Sequence, residues 1–278
     1  MRNRFYTIII LLTNSQYNSR RRPMSQLIDK VAIVTGSASG MGEAIAETYA
    51  KEGAKVILAD FNEEGVKAVS NRLNDEGYDT LALKVDVSKK EDTDKMIDTA
   101  IETYGTLDIL VNNAGIMDSF EPVGEITDEK WDHIFDVNTK GVMRAMRKAV
   151  NYWLEHDKAG NIINTISTGG LNGAHAGVAY GASKHAVVAL TKNTAFMYAQ
   201  KNIRVNGIAP GAVMTNISSG MGEVSEFGAS RTKVTQSVIP AAGESQDIAE
   251  VALFLGSDQS KFVNGTIIVA DGGWTAGF

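Results

Sequence analysis

Tyr180 and Lys184 stand four residues apart in the stretch AYGASKH, Ala179–His185. On a helix that spacing puts a phenol and an ammonium on one face, one turn from each other. A free tyrosine holds its proton with a pKa of about 10, too tightly for ready exchange near neutral pH. A neighbouring ammonium favours the phenolate, and each pKa unit corresponds to about 1.36 kcal/mol. The chemistry on offer is proton transfer to or from an oxygen atom. Taken alone, the pair fits equally well a lysine stem packed against a ring on a helix surface. What the pair does depends on what surrounds it.

A second group of residues points to a nucleotide. The stretch Thr35-Gly36-Ser37-Ala38-Ser39-Gly40-Met41-Gly42 follows a β-branched run and precedes a helical one. Glycines there permit positive φ and a close approach of backbone to phosphate. The helix start adds amide donors and the positive end of the helix dipole. Such a turn is weak by itself and strong between the first strand and first helix of a βαβ unit. Asp60 ends the second strand about 20 residues on, where an acid meets the adenosine ribose hydroxyls. Its competing reading is a cap for the next helix. A carboxylate there repels a 2′-phosphate, and neither Ser37-Ala38-Ser39 nor Phe61-Asn62 offers a cation to neutralise one. NAD(H) is therefore expected over NADP(H). Asp86 ends the third strand, and reads either as an acceptor for the adenine amino group or, with Ser88 and Glu91, as a helix cap.

These residues need a scaffold that brings them together. Short β-branched runs (Val31–Thr35, Val56–Ala59, Leu81–Val85, Ile109–Val111, Ile162–Ile166, Val205–Ala209, Thr266–Val269) alternate with segments of helical period. Strands alternating with helices predict an α/β fold: a doubly wound parallel sheet of the Rossmann type, about seven strands, with helices on both faces. The runs are almost continuously apolar, as in strands buried on two sides. No linker divides the chain after residue 24, and a single domain over 25–278 is expected. The Gly- and Ser-rich stretch at about 212–240 breaks the rhythm after a strand end, and is expected to be a substrate lid in preference to a plain surface helix pair.

With 278 residues, 44% of them apolar, the chain can bury a core without staples, and it has no cysteine to make any. That absence excludes disulfides and thiolate metal sites, and four scattered histidines make no ligand-spaced pair, so no metal is expected. A net charge of -6 with no basic run in the body argues against nucleic acid. Residues 1–28 hold five arginines and no acid around Ile8-Ile9-Ile10-Leu11-Leu12. That run is far shorter than the roughly 20 residues of a membrane span, and Arg20-Arg21-Arg22 stands where a cleavage site would. Residues 1–24 read as an extension outside the fold of a cytoplasmic protein, with Met24 as an alternative start, in preference to an export or organelle address.

The order Gly36-x-x-x-Gly40-x-Gly42, Asn112-Asn113-Ala114-Gly115, Ser167, Tyr180-x-x-x-Lys184, Pro210-Gly211 and Asp271-Gly272-Gly273 closely resembles the short-chain dehydrogenase/reductase family, in its short single-domain branch. The resemblance runs from about residue 30 to the end, and the motifs in this order are jointly very specific. It implies an NAD(P)-dependent alcohol dehydrogenase or carbonyl reductase, commonly a homotetramer. Carried over by position, Tyr180 is the acid/base, Lys184 its partner, Ser167 the substrate-orienting serine, and Asn138 the asparagine that completes a proton relay through water. The implied cofactor contacts fall on Gly36, Ser39, Gly40, Met41 and Gly42, and on Asp60 with Phe61 and Asp86 with Val87. They continue at Asn113, Ala114 and Gly115, at Tyr180 and Lys184, and at Pro210, Gly211, Val213 and Thr215. Thr215 is the implied holder of the nicotinamide carboxamide. Gly181, Ala182 and Ser183 read as small residues that let the cofactor come close.

The substrate is less specified. Ile116–Glu121, Gly169–Ala176 and the lid should wall its pocket, and they are small, apolar and Gly-rich. No arginine cluster offers a handle for phosphate or carboxylate. A small or medium neutral secondary alcohol or its ketone is expected. The rivals are a 3-oxoacyl-carrier-protein reductase, disfavoured by Asp60, and a non-catalytic NAD(H)-binding sensor on the same fold. A sensor has no need of Ser167, Tyr180, Lys184 and Asn138 together. His175 and His185 flank the site in sequence only.

Overall fold

The structure is a computed structural model that describes residues 25–277. The readings made for residues 1–24 lie outside these residues. Seven strands form one parallel sheet: β1 Val31–Thr35, β2 Lys55–Asp60, β3 Thr80–Lys84, β4 Ile109–Asn112, β5 Gly160–Thr165, β6 Ile203–Pro210 and β7 Ile267–Ala270. Their order is β3-β2-β1-β4-β5-β6-β7. The winding reverses between β1 and β4, whose register pairs Val34 with Val111, and a crevice opens there at the carboxyl ends.

Both faces are covered because alternate strand residues are apolar on each. Val31 and Ile33 pack with α3 (Lys90–Tyr104), α5 (Val142–Glu155) and α6 (Val178–Tyr198). Ala32 and Val34 pack with α1 (Gly40–Lys51), α2 (Glu63–Asp75) and α8 (Ser245–Gly256). Asn112 donates to Asn164 at 2.8 Å, and Asn164 donates to Thr191 at 2.9 Å. This buried polar chain runs from β4 through β5 to α6 and fixes the helix that carries Tyr180 and Lys184.

α4 (Asp128–Phe135) runs into α5 through a wide turn at Asp136–Gly141, widened to i→i+5 spacing. Asn138 lies in that turn, fully buried, rather than on a regular helix. The stretch at 212–240 is less irregular than its sequence suggests, since it contains α7 (Glu226–Gln236), capped by Ser225 accepting from Gly228 N at 2.9 Å. Phe227 and Val234 of α7 are exposed, so its apolar residues mark no buried face and helical period was not visible.

Candidate active site

The glycine turn is shaped by contacts that a Cβ would destroy. Gly36 (φ +68°) lies so near the next loop that a Cβ would sit 2.9 Å from Ala114 Cα. A Cβ on Gly42 would fall 1.9 Å from the Gly36 carbonyl oxygen, and Gly40 has φ +60°. The turn therefore folds flat against the start of α1. Ser39 makes no side-chain cap there, and the first amides of a helix have no intrahelical acceptor, which leaves donors for an anion.

Asp60 braces this turn. Its Oδ2 accepts from Ala38 N at 2.9 Å and its Oδ1 from Asn62 N at 2.8 Å. Asn62 caps α2, so the capping reading of Asp60 does not hold. Asp86 folds back on Ser88, accepting from its amide at 3.0 Å and its hydroxyl at 2.6 Å. Burial works to raise this carboxyl's pKa, but hydrogen bonds from Ser88 and Lys89 win and hold it below the usual range. Neither Asp86 nor Ser88 caps α3, where Lys89 occupies the cap position without a side-chain bond.

Between these walls lies a cleft of about 660 Å³. The turn lines it with Gly36, Ser39, Gly40 and Met41, and the strand ends contribute Asp60, Phe61, Asp86 and Val87. Asn113, Ala114, Gly115 and Thr215 close the inner side. Its acids are Asp60 and Asp86, and no lysine or arginine lines it. Asn113-Ala114 is more than a turn: both amides donate to Thr35 Oγ1, at 2.9 and 3.0 Å, which ties β4 to the end of β1. Glycine cradle, free helix-end donors and a ribose-side acid fit a nicotinamide dinucleotide.

Beside the cleft stand Ser167, Tyr180, Lys184 and Asn138. The Ser167 hydroxyl accepts from Gly169 N at 3.0 Å and acts on the Tyr180 phenol to favour its ionised form. Lys184 Nζ lies 5.6 Å from the Tyr180 ring centroid and donates to the Thr165 carbonyl at 2.9 Å. Asn138 is clamped to Ile116, accepting from its amide and donating to its carbonyl, both at 2.9 Å. A Cβ on Gly115 would sit 3.2 Å from Asn138 Oδ1 and 3.3 Å from Lys184 Nζ. Gly115 is thus the point where cleft and cluster meet.

The charges of this cluster differ from expectation. Burial pushes the Tyr180 phenol up to about 12, offset in part by Ser167 and reinforced by Asp118. Burial pushes Lys184 down to about 8. Burial dominates the phenol, and the Lys184 ammonium lies 5.6 Å from its ring centre.

Other expected residues lie apart from the cleft. Gly42 sits behind the turn, and Ser167, Tyr180, Lys184 and Asn138 stand next to the lining. Pro210 ends β6, and Gly211 abuts Asp271. Val213 bridges to Gly243 and packs against the core. Ser183 does not face a cofactor: it is buried, donates to the Tyr180 carbonyl at 2.7 Å and accepts from Asn138 Nδ2 at 3.1 Å. His175 stacks on Trp274 with centroids 4.0 Å apart, and His185 meets the Gly181 carbonyl on the surface, so neither joins the cluster. Sequence reading missed Thr35 and Asp118, which no motif marks, while Asn216, Ile217, Ser219 and Gly220 line the cleft from the stretch after β6 that was expected to wall a pocket. Among the described residues no group of His, Asp and Glu could hold a metal, and no helix is long and apolar enough to cross a membrane.

A family model described as "Enoyl-(Acyl carrier protein) reductase" matches residues 36–275. The 3beta-hydroxysteroid dehydrogenase 2 of Eggerthella lenta is 43% identical over 258 residues, 93% of this chain and 98% of that protein. Cyclopentanol dehydrogenase of Comamonas testosteroni is 37% identical, over 91% of this chain and all (100%) of the other. Among solved structures, a Beutenbergia cavernae protein described as a "putative NAD(P) dependent gluconate 5-dehydrogenase", with NADP bound at low occupancy, superposes with a TM-score of 0.80 at 32% identity, covering 91% of this chain and 99% of that one.

Proposed function

The chain belongs to the short-chain dehydrogenase/reductase family, oxidoreductases of alcohols and ketones with a nicotinamide cofactor, and on that premise we propose that it is an NAD(H)-dependent enzyme interconverting a small or medium neutral secondary alcohol and its ketone. The observation that carries this reading is the junction at Gly115, which lines the cleft and has Asn138 Oδ1 and Lys184 Nζ within 3.2 and 3.3 Å of its Cβ direction. A nucleotide cleft and a buried phenol so joined suit hydride transfer coupled to proton transfer.

The nicotinamide, when bound, supplies or accepts the hydride at the substrate carbon. Tyr180 gives its proton to the carbonyl oxygen in reduction and takes it back in alcohol oxidation. A phenol pushed up to about 12 carries its proton at neutral pH but holds it more tightly than a free tyrosine, so its transfer relies on Ser167, which opposes that shift, and on the neighbouring Lys184 ammonium. Ser167 donates to the same oxygen and stabilises the charge developing there. Lys184 and Asn138 are assigned the proton path behind Tyr180, with Ser183 and Ile116 holding Asn138 in place. Gly36, Ser39, Gly40, Met41 and Gly42 are assigned to the diphosphate, Asp60 and Phe61 to the adenosine ribose side, Asp86 and Val87 to the adenine. Asn113 to Gly115 and Pro210, Gly211, Val213 and Thr215 are assigned to the nicotinamide half. Asp60 and a cleft lined by no cation support NAD(H) over NADP(H). Exposed Met214, Val224 and Phe227 on the lid support a neutral, apolar substrate. A cytoplasmic homotetramer belongs to the same reading.

The test is turnover of a panel of secondary alcohols and ketones, an acetoacetyl thioester included, with each cofactor. Turnover of neutral alicyclic alcohols with NAD⁺ is expected. Tight NADH binding without turnover of any member would instead make the protein a sensor.

A further inference from the structure

Asp118 is a buried carboxylate that the proposed proton transfer does not use. Its residue is wholly inaccessible to solvent. Oδ2 accepts from the backbone N–H of Tyr180 itself at 2.9 Å, and Oδ1 from Gly177 N at 2.9 Å and Phe120 N at 3.3 Å. Both oxygens are acceptors, which suits the ionised form. Gly177 occupies the cap position of α6 and has no side chain to satisfy the first amides. A carboxylate about sixty residues earlier in the chain does so instead, and so closely that a Cβ on Gly177 would lie 2.5 Å from Oδ2.

The loop that carries Asp118 is itself held from several sides. Val178 N donates to the Glu121 carbonyl at 2.9 Å, a second tie to the start of α6. Lys130 donates to Ser119 Oγ at 2.7 Å and pairs with Glu121, and Ser119 N donates to Glu121 Oε2 at 2.6 Å. Phe120 takes φ +62°, unusual for a non-glycine residue and retained because its surroundings leave no alternative. On the lid side, Ser225 N donates to the Ser119 carbonyl at 2.9 Å. The charged groups in this neighbourhood are Lys184 on α6 and, beside Asp118, Glu121 with its partner Lys130. Glu121 pairs with Lys130 yet still acts on Asp118, whose carboxyl burial pushes up against its three backbone donors, and Asp118 is the anion that acts on the Tyr180 phenol.

We propose that Asp118 is the positioning residue for Tyr180: it anchors the first turn of α6 by the Tyr180 amide and sets, through its charge, how firmly the phenol holds its proton. The inference rests on the reading of Tyr180 as the acid/base. A mere helix cap would fix position and leave the titration of the phenol alone. A charge in this place does both, since a neighbouring anion disfavours the phenolate.

The test is Asp118→Asn in the full-length, NAD⁺-saturated enzyme. The amide turns an N–H donor toward at least one of the three backbone donors, so kcat is expected to fall about tenfold or more with the KM for NAD⁺ within about twofold. Removal of the anion is expected to move the midpoint of the phenol titration to lower pH by roughly one unit. That midpoint is read from the pH profile of kcat for alcohol oxidation. It is read independently of turnover from tyrosinate absorbance, as the difference between Asp118→Asn and Asp118→Asn/Tyr180→Phe. A lowered kcat with an unmoved titration would reduce Asp118 to a cap and overturn the proposal, as would unchanged kcat. Gly177→Ala, which displaces the carboxylate without removing it, serves if Asp118→Asn does not fold. It should lower kcat at unchanged NADH affinity, and wild-type kcat would overturn the proposal. Failure of the acid/base reading itself shows separately, as turnover by Tyr180→Phe.

Discussion

On the β1–β3 side of the crevice the wall is largely backbone, whereas from β4 to β6 the working atoms belong to side chains, buried except for half-buried Ser167, that hydrogen bonds hold in place. The first region consists of glycines whose missing Cβ atoms make room, amides at the start of α1, and Asp60 bracing Ala38. The second consists of Ser167, Tyr180, Lys184 and Asn138, each gripped by a named partner. The difference teaches where each region is vulnerable. A backbone cradle fails by crowding, and in the proposed reading one peripheral acid, Asp60, selects its ligand. A side-chain cluster fails through the loss of one proton or one donor. Each half can therefore be damaged with little effect on the other.

Tyr180→Phe should separate the halves most sharply. Turnover is expected to fall by about 10² to 10⁴-fold, the usual worth of a positioned acid/base, while NADH affinity by fluorescence titration stays within about twofold. Retained turnover would dissolve the distinction, because the phenol would then be part of the packing. Lys184 offers a pH test of the same half. Burial lowers its pKa to about 8, so the ammonium is present below that pH and lost above it. The rate of ketone reduction is expected to decline as pH rises through about 8, and Lys184→Met to be slow and to lack that limb. A limb preserved in Lys184→Met would assign the titration to another group. Asp60→Ala tests the backbone half and has the smallest expected effect. The ratio of kcat/KM for NAD⁺ to that for NADP⁺ should fall about tenfold, roughly 1.4 kcal/mol, with kcat for NAD⁺ little changed. An unchanged ratio would put cofactor choice elsewhere in the cleft.

The same contrast decides what could be read from the sequence. Seven β-branched runs lie within two residues of the seven strands, because strands buried on both faces are apolar throughout and few other segments are. The glycine turn was legible because positive φ and close approach leave few residue types to choose from. Asp60 was legible by its interval from the turn. Asp118 was not, since its partners Gly177 and Tyr180 are about sixty residues away and its own neighbours have no pattern. Ser183 read as a small spacer because the sequence does not say which way it turns on α6. The helix within 212–240 stood only as the alternative to a lid, since its apolar residues are exposed and show no face.

By itself, then, the sequence determined the order of the candidate residues along the chain: a glycine turn, an acid at the end of the second strand, and a serine, a tyrosine and a lysine at fixed intervals. Those are local matters of residue type, spacing and backbone freedom. Only the tertiary structure decided the protonation of the cluster. Burial drives Tyr180 up and Lys184 down, and Asp118 and Ser167 act on the phenol from other elements. A pKa depends on water removed and charge approached in space, and neither is written in intervals along a chain.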